Sequence, residues 1–192
     1  MNFGFRRSGR IVYRMACPAC RECVPIRVPT EHFEPSRSQR RVLRRNRDVQ
    51  VEVGLPQASD EKWRVYADYL ARRHDGTMSA KREHFEEFLY EPATETLEMV
   101  YRLDSRIIGV GILDVCPAGL SSVYFYFAPG ESRRGLGTFG ALREIEECRC
   151  RGLPYWYAGF YIRDCRRMSY KAGFRPHELL GADRVWRLQS SP

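Results

Sequence analysis

Between residues 97 and 128 the sequence runs LEMVYRLD, RIIGVGILDVC and LSSVYFYFAP, three long stretches of β-branched, aromatic and aliphatic residues. Such stretches fit a pleated, largely buried surface, so this part of the chain has to be built around a sheet. GTFGALREIEECRCRG then changes the period to that of a helix, YWYAGFYI returns to strand, and RRMSYKAG reads as a short helix. The pattern predicts an α+β unit on a mostly antiparallel sheet, entered near residue 95. Upstream, IVYR and VPIRVP read as short strands on either side of a cysteine turn, and VQVEV as another. Residues 59–74 and 80–90 place Trp63, Tyr66, Tyr69 and Leu70, then Phe85, Phe88 and Leu89, at helical spacing, an aromatic stripe that belongs to a core. The expected organisation is an N-terminal part, residues 1–95, with the cysteine turn and these helices, followed by a sheet-centred unit, residues 96–192.

A chain of 192 residues with 43% hydrophobic and 12% aromatic side chains has the composition of a globular protein. It contains no run of eighteen apolar residues, and its start, MNFGFRRSGR, lacks the apolar centre of a secretory signal, so the expected location is the cytoplasm. Seven cysteines without an export signal point to thiols or metal ligands instead of a disulfide framework.

The formal net charge of +8 is concentrated. Residues 1–47 hold twelve arginines against three acids, whereas the remainder holds twenty basic and twenty-one acidic residues. The densest stretch is SRSQRRVLRRNR, Ser36 to Arg47, with six arginines and no acid. Ser36 followed three residues later by Gln39 is a capping box, which starts a helix at Arg37. On that helix Arg37, Arg40, Arg41, Arg44 and Arg47 share a broad face, Arg45 is counted with them as a tRNA contact, and Val42 and Leu43 turn inward. Like charges at these spacings destabilise a helix unless an anion relieves them, and arginine favours bidentate phosphate contacts. Nucleic-acid contact is the expected role; a solvated basic face, or one paired with acids elsewhere in the fold, is the alternative.

CPACREC places Cys17, Cys20 and Cys23 at two successive C-x-x-C spacings, which suit zinc or an iron–sulfur cluster. A closed site needs four ligands, and Cys116, Cys148, Cys150 and Cys165 lie far away, so free thiols compete with an incomplete metal site. His74 and Asp75 could form a hydrogen-bonded pair. SRRGLGTFGALREIE passes from strand through a glycine turn into a helix, a geometry that presents main-chain N–H groups to an anion. It resembles the phosphate loop of GNAT-type acetyltransferases at Gly135 and Gly137, but has Ser132 where that loop opens with Arg or Gln.

Taken together, GFRRSGRIVYRMACPACRECVPIRV, PSRSQRRVLRRN, RHDGTM, GLSSVYFYF and YAGFYIRDCRRMSYKAGFRP resemble the aminoacyl-tRNA–protein transferases, and most closely their bacterial leucyl-transferring branch. The similarity runs through nearly the whole chain in order. It implies a GNAT-like catalytic domain that moves leucine from leucyl-tRNA to the N-terminal Asp or Glu of a protein, a mark for degradation through an N-degron pathway. It also implies an earlier N-terminal segment with further cysteines, which this sequence, opening at MNFGFRRSG, is expected to lack, and no required cofactor. Arginyl transfer, CoA-dependent acetylation and an inactive tRNA-binding remnant are the alternatives.

Charged tRNA is already an activated ester, so transfer needs orientation, desolvation and a proton acceptor, with no covalent intermediate. The polar residues where strands and turns of the second half meet are Asp114, Tyr124, Tyr126, Tyr161 and Tyr170. Asp114 is the expected proton acceptor, and the tyrosines would position the ester or donate to its oxyanion. Arg166, Arg167 and Lys171 are the expected cations for the acceptor carboxylate. Each also has a structural reading, as an ion-pair partner, a half-buried strand face or a surface charge.

Overall fold

The computed structural model describes residues 1–73 and 78–189. Strands β1 (Arg6–Ser8) and β2 (Ile11–Tyr13) form a hairpin, followed by β3 (Val24–Pro29), α1 (Arg37–Arg45) and β4 (Val49–Gly54). Then come α2 (Asp60–Arg73), α3 (Arg82–Leu89), β5 (Thr96–Leu103), β6 (Arg106–Cys116) and β7 (Gly119–Phe127). The chain continues through α4 (Leu136–Cys150), β8 (Tyr155–Tyr161), α5 (Arg166–Ser169), β9 (His177–Leu180) and β10 (Trp186–Gln189).

Eight strands form one sheet in the order β10-β9-β3-β8-β7-β6-β5-β4. Every pairing is antiparallel except β7 with β8, which the crossover through α4 makes parallel. β3 lies between β9 and β8, and β4 forms the edge beside β5, so residues from both sides of position 95 contribute to this sheet. The long apolar runs of β5 and β6 follow from burial on both faces. Leu97, Met99, Tyr101, Ile108 and Leu113 pack with Phe139, Leu142 and Ile145 of α4. Val100, Ile107, Val110 and Ile112 face Tyr66 and Leu70 of α2 and Phe85 and Leu89 of α3.

α1 begins where the capping box places it, with the Gln39 amide bonded to the Ser36 hydroxyl and the Gln39 side chain accepting from the Ser36 N–H. Such a cap contributes about 1 kcal/mol. Val42 and Leu43 pack onto the core, whereas all five arginines of the helix are exposed. Two features lie beyond a periodicity reading. The β1–β2 hairpin is held to the sheet by Arg7, whose guanidinium pairs with Asp114 at 2.7 Å with both side chains fully buried. Opposite Leu113 and Ile112, β7 carries one extra residue, Val123, a bulge that shifts the facing of everything beyond it. Among the described residues, no helix is long and apolar enough to cross a membrane.

Candidate active site

β7 and β8 pair only over Gly119–Ser121 and Tyr155–Tyr157, and beyond that they part around α4. A cavity of about 120 Å³ opens in the fork. Ser122, Phe125 and Phe127 of β7 line one wall, Trp156 and Ala158 of β8 the other, Gly137, Ala141 and Glu144 of α4 a third, and Tyr69 and Tyr170 close it. The bulge at Val123 sets this composition. Simple alternation would group Ser122 with Tyr124 and Tyr126, whereas the extra residue turns Ser122 to the side of Phe125 and Phe127 and sends both tyrosines to the opposite face.

Glu144 is the chemical centre of the cavity. Its carboxylate is buried, accepts a hydrogen bond of 2.8 Å from Trp156 Nε1 and is hydrogen-bonded by Ser122. Burial outweighs both hydrogen bonds and the nearby Arg6 charge, and pushes the carboxyl up to about 7. A carboxyl poised there exchanges protons near neutral pH, the requirement for a general base.

The charge of Arg6 acts on it, and Lys171 in turn lies next to Arg6. Arg6, arriving from β1, donates through Nη1 to Ser121 Oγ at 2.5 Å and through Nη2 to the Ser122 carbonyl. Lys171 donates to the Phe160 carbonyl at 2.9 Å, and burial together with the Arg6 charge brings its ammonium down to about 8. The two meet over Gly159, where a β-carbon would lie 3.3 Å from Arg6 Nη2 and 3.3 Å from Lys171 Nζ. Gly159 has φ +96°, so the backbone there also excludes a side chain.

The sequence-derived candidates distribute as follows. Lys171 and Tyr170 come to the fork, and Arg167, exposed on α5, lies close enough for its charge to act on Tyr69; Arg166 is exposed. Asp114 does not line the cavity: its Oδ1 accepts from Arg7 Nε and from Thr96 Oγ1, which ties it to the hairpin, while its Oδ2 is buried without a hydrogen-bond partner. Tyr126 is fully buried with its hydroxyl 3.0 Å from that of Tyr90, which donates to Glu98. The Tyr124 hydroxyl lies against the Met78 sulfur among the aromatic rings of α2 and α3. Tyr161 ends β8 and packs on the core. The His74–Asp75 pair lies outside the described residues.

Arg37, Arg40, Arg41, Arg44 and Arg45 make no ion pair with any acid among the described residues, which removes the reading of α1 as an internally neutralised helix. α1 is fixed at both edges of the cavity. Gln39 Nε2 donates to the carbonyl of Gly173, two residues beyond Lys171, and Val42 packs on Gly135, the left-handed residue (φ +69°) that opens α4. Asn46 Nδ2 bonds the carbonyl of Arg134 in the same turn.

Cys17, Cys20 and Cys23 line a second, open cavity of about 560 Å³ bordered by Phe3, Pro25, Phe160 and Leu180. Among the described residues no three His, Cys, Asp or Glu side chains converge as a metal site. The thiol of Cys23 is shifted upward, by burial first and then by the neighbouring Cys20 and Cys17. The three-cysteine set as arranged does not fit a closed metal site, and no chemical step is assigned to a metal.

Sequence periodicity missed Glu144, Ser122 and Arg6. The signal for Glu144 was an acid four residues from both Gly140 and Cys148, on a helical stripe otherwise made of buried residues. For Arg6 there was no local signal, because its partners are more than 110 residues away.

The family models described as arginine-tRNA-protein transferase, N terminus and C terminus, match residues 1–41 and 61–181. The aspartate/glutamate leucyltransferase of Marinobacter nauticus is 44% identical over 190 residues, covering 98% of this chain and 80% of that protein. Its counterpart in Saccharophagus degradans is 42% identical over 181 residues, covering 93% and 77%. Among solved structures, FemX superposes with a TM-score of 0.57 at 10% identity, over 86% of this chain and 60% of that one. The C-terminal domain of a putative lysylphosphatidylglycerol synthetase from Agrobacterium fabrum gives 0.55 at 19% identity, over 73% and 46%. These two show a shared fold. On the matches to both family models and the length of these relatives that it spans, the chain belongs to the aminoacyl-tRNA–protein transferase family.

Proposed function

We propose that this protein transfers leucine from leucyl-tRNA to the α-amine of proteins beginning with Asp or Glu, with the fork between β7 and β8 as the reaction site and Glu144 as the proton acceptor. The single observation that carries the mechanism is a buried carboxyl held at about 7 in a cavity walled by aromatic rings, Ser122 and two tyrosines. The arginines of α1 hold tRNA phosphates, and the contacts of that helix at Gly135 and Gly173 aim the 3′ end of the tRNA at the cavity mouth. Phe125, Phe127, Ala141, Trp156 and Ala158 offer an aliphatic side chain an apolar wall, and the relatives named as aspartate/glutamate leucyltransferases support leucine as the residue carried. A donor of this kind is met in the cytoplasm.

The reaction then needs little covalent machinery. The acceptor amine attacks the ester carbonyl, a C–N bond forms, and the ribose C–O bond breaks. Glu144 takes the proton that the amine sheds and returns it to the leaving ribose oxygen. Beyond Ser121 the edge of β7 no longer pairs with β8, so main-chain donors there are available to the developing oxyanion. Trp156 and Ser122 fix the orientation of the carboxylate.

The test is transfer of labelled leucine to peptides that differ only in their first residue, with leucyl-tRNA and arginyl-tRNA offered separately. Product from leucyl-tRNA on Asp and Glu peptides is expected. Exclusive use of arginyl-tRNA would overturn the donor assignment, and transfer at wild-type rate by Glu144→Gln would overturn the mechanism.

A further inference from the structure

We infer that Phe125 is the specificity-determining residue for the amino acid carried by the tRNA: its ring, sunk among three glycines, is the fixed floor on which an aliphatic side chain of leucine length rests. The inference builds on the transfer reaction proposed above and assigns the depth of its donor pocket.

Strand β6 and helix α4 lack side chains at the three positions that face this ring. A β-carbon at Gly140, in the middle of α4, would lie 2.8 Å from Phe125 Cζ and nearer still to Cε2, closer than real β-carbons come. β-Carbons at Gly109 and Gly111, on β6, would lie 3.4 Å from Cζ and 3.4 Å from Cδ2 of the same ring. None of the three glycines has a positive φ, so the ring and not the backbone calls for them. Glycine inside a helix or a strand weakens it, and here the weakness is accepted three times around one side chain. The result is a phenylalanine seated deeper than a surface of β-carbons would allow.

That ring has no room to retreat. Tyr101 meets it edge-on with centroids 5.4 Å apart, and Tyr101 in turn meets Phe139 of α4 at 5.8 Å. The part of Phe125 left uncovered lines the cavity in the fork. Position ties this floor to the chemistry. A β-carbon at Gly111 would stand 3.2 Å from Glu144 Oε1 as well as against the ring, so the space of one missing side chain separates the two. Both line one cavity of about 120 Å³, and a side chain resting on the ring keeps its ester carbonyl within reach of Glu144. A rigid floor measures length: the branched end of leucine reaches it, valine stops short and forfeits the contact, and phenylalanine meets the ring before its ester is seated.

Two measurements test this. The first needs no transfer: wild type and Phe125→Leu are titrated with stable 3′-aminoacylamino-3′-deoxyadenosines carrying Leu, Val or Phe, in which an amide replaces the ester. Wild type should bind the leucyl compound at least about tenfold tighter than either of the others, and Phe125→Leu should bind the phenylalanyl compound within about threefold of the leucyl one. The same order and spacing of affinities in both proteins would overturn the assignment. The second is transfer from leucyl-, valyl- and phenylalanyl-tRNA by wild type, Phe125→Leu, Gly140→Ala and the double variant. Gly140→Ala drives the ring into the cavity and should lower kcat/KM for leucyl-tRNA about 100-fold, and adding Phe125→Leu makes room for the new methyl and should recover most of that loss. Equal losses for leucyl- and phenylalanyl-tRNA in Phe125→Leu would show a merely structural ring, refuting the floor while leaving the reaction in place. Absence of transfer by the wild type with any donor, alongside the expected order of affinities for the three adenosine compounds, would refute the reaction and leave the pocket standing.

Discussion

Replacing Glu144 with Gln should make the protein at once more stable and nearly inactive. Burial raises this carboxyl from 4.5 to about 7. Between those values the folded chain retains a proton that the unfolded chain has released, so the contribution of Glu144 to stability falls as pH rises through the window. Above pH 7 the full penalty of ionising a buried acid is present, about 3 kcal/mol at 1.36 kcal/mol per pKa unit. Glutamine keeps the shape and an oxygen that can accept from Trp156 Nε1, but never ionises.

Urea unfolding of the two proteins at about pH 5 and about pH 8 isolates the effect, because every other group titrates alike in both. The variant should be close to wild type at the lower pH and more stable by up to about 3 kcal/mol at the higher. In the transfer assay kcat should drop about 100- to 10,000-fold, and the rise of kcat/KM through pH 7 expected of the wild type should disappear. A variant destabilised equally at both pH values would show that Glu144 serves only to hold Trp156, and the proton-acceptor assignment would fail.

Replacing Arg37, Arg41 and Arg44 by Ala should weaken tRNA binding strongly and reduce its salt dependence by about 0.7–0.9 log units of slope per lost phosphate contact, alike for different tRNAs; an unchanged slope in a folded variant returns α1 to a solvated face. Tyr126→Phe removes a bond to Tyr90 on the face away from the cavity, so it should lower stability by about 1 kcal/mol and leave kcat and the acceptor KM unchanged; a large fall in kcat would restore Tyr126 to the reaction. With three thiols and no fourth ligand gathered near them among the described residues, the purified chain should hold zinc or iron at well below one atom per molecule and unfold at the same urea concentration with or without chelator. One tightly held metal per chain would contradict that.

The legible parts of this molecule are those governed by local physics. The capping box at Ser36 and Gln39, the strand VPIRVP and the three long strands after residue 95 stand where periodicity puts them. The site was harder to read because its decisive events are non-local. One extra residue at Val123 reverses which side chains of β7 face the cavity, and nothing in the SSVYFYF pattern announces the insertion. Asp114 looked like a reagent because its partner, Arg7, lies 107 residues earlier on a hairpin too short to signal itself. Lys171 was singled out as a cation on a short helix, whereas its spatial neighbour Arg6 was masked by the abundance of arginines around it.

The fork itself explains why cations gather there. A parallel pair in an antiparallel sheet parts where the helix between its strands intrudes, and main-chain groups beyond the last paired residues must be satisfied by something other than a ladder. Arg6 bonds the carbonyl of Ser122 on β7, and Lys171 bonds that of Phe160 on β8. Neutral side chains such as Asn or Gln can bond such oxygens at no electrostatic cost. Charged donors satisfy them and set two positive charges beside the fork, where the fields of Asp114 and Glu144 act on Arg6 in the favourable sense. Reach matters as much as charge: a Gln amide nitrogen ends at the level of Arg Nε or Lys Cε, short of the Nη and Nζ atoms that make these bonds. Arg6→Gln with Lys171→Gln should therefore release both main-chain oxygens and lower the urea midpoint of unfolding, and an unchanged midpoint would show that neither bond supports the fork.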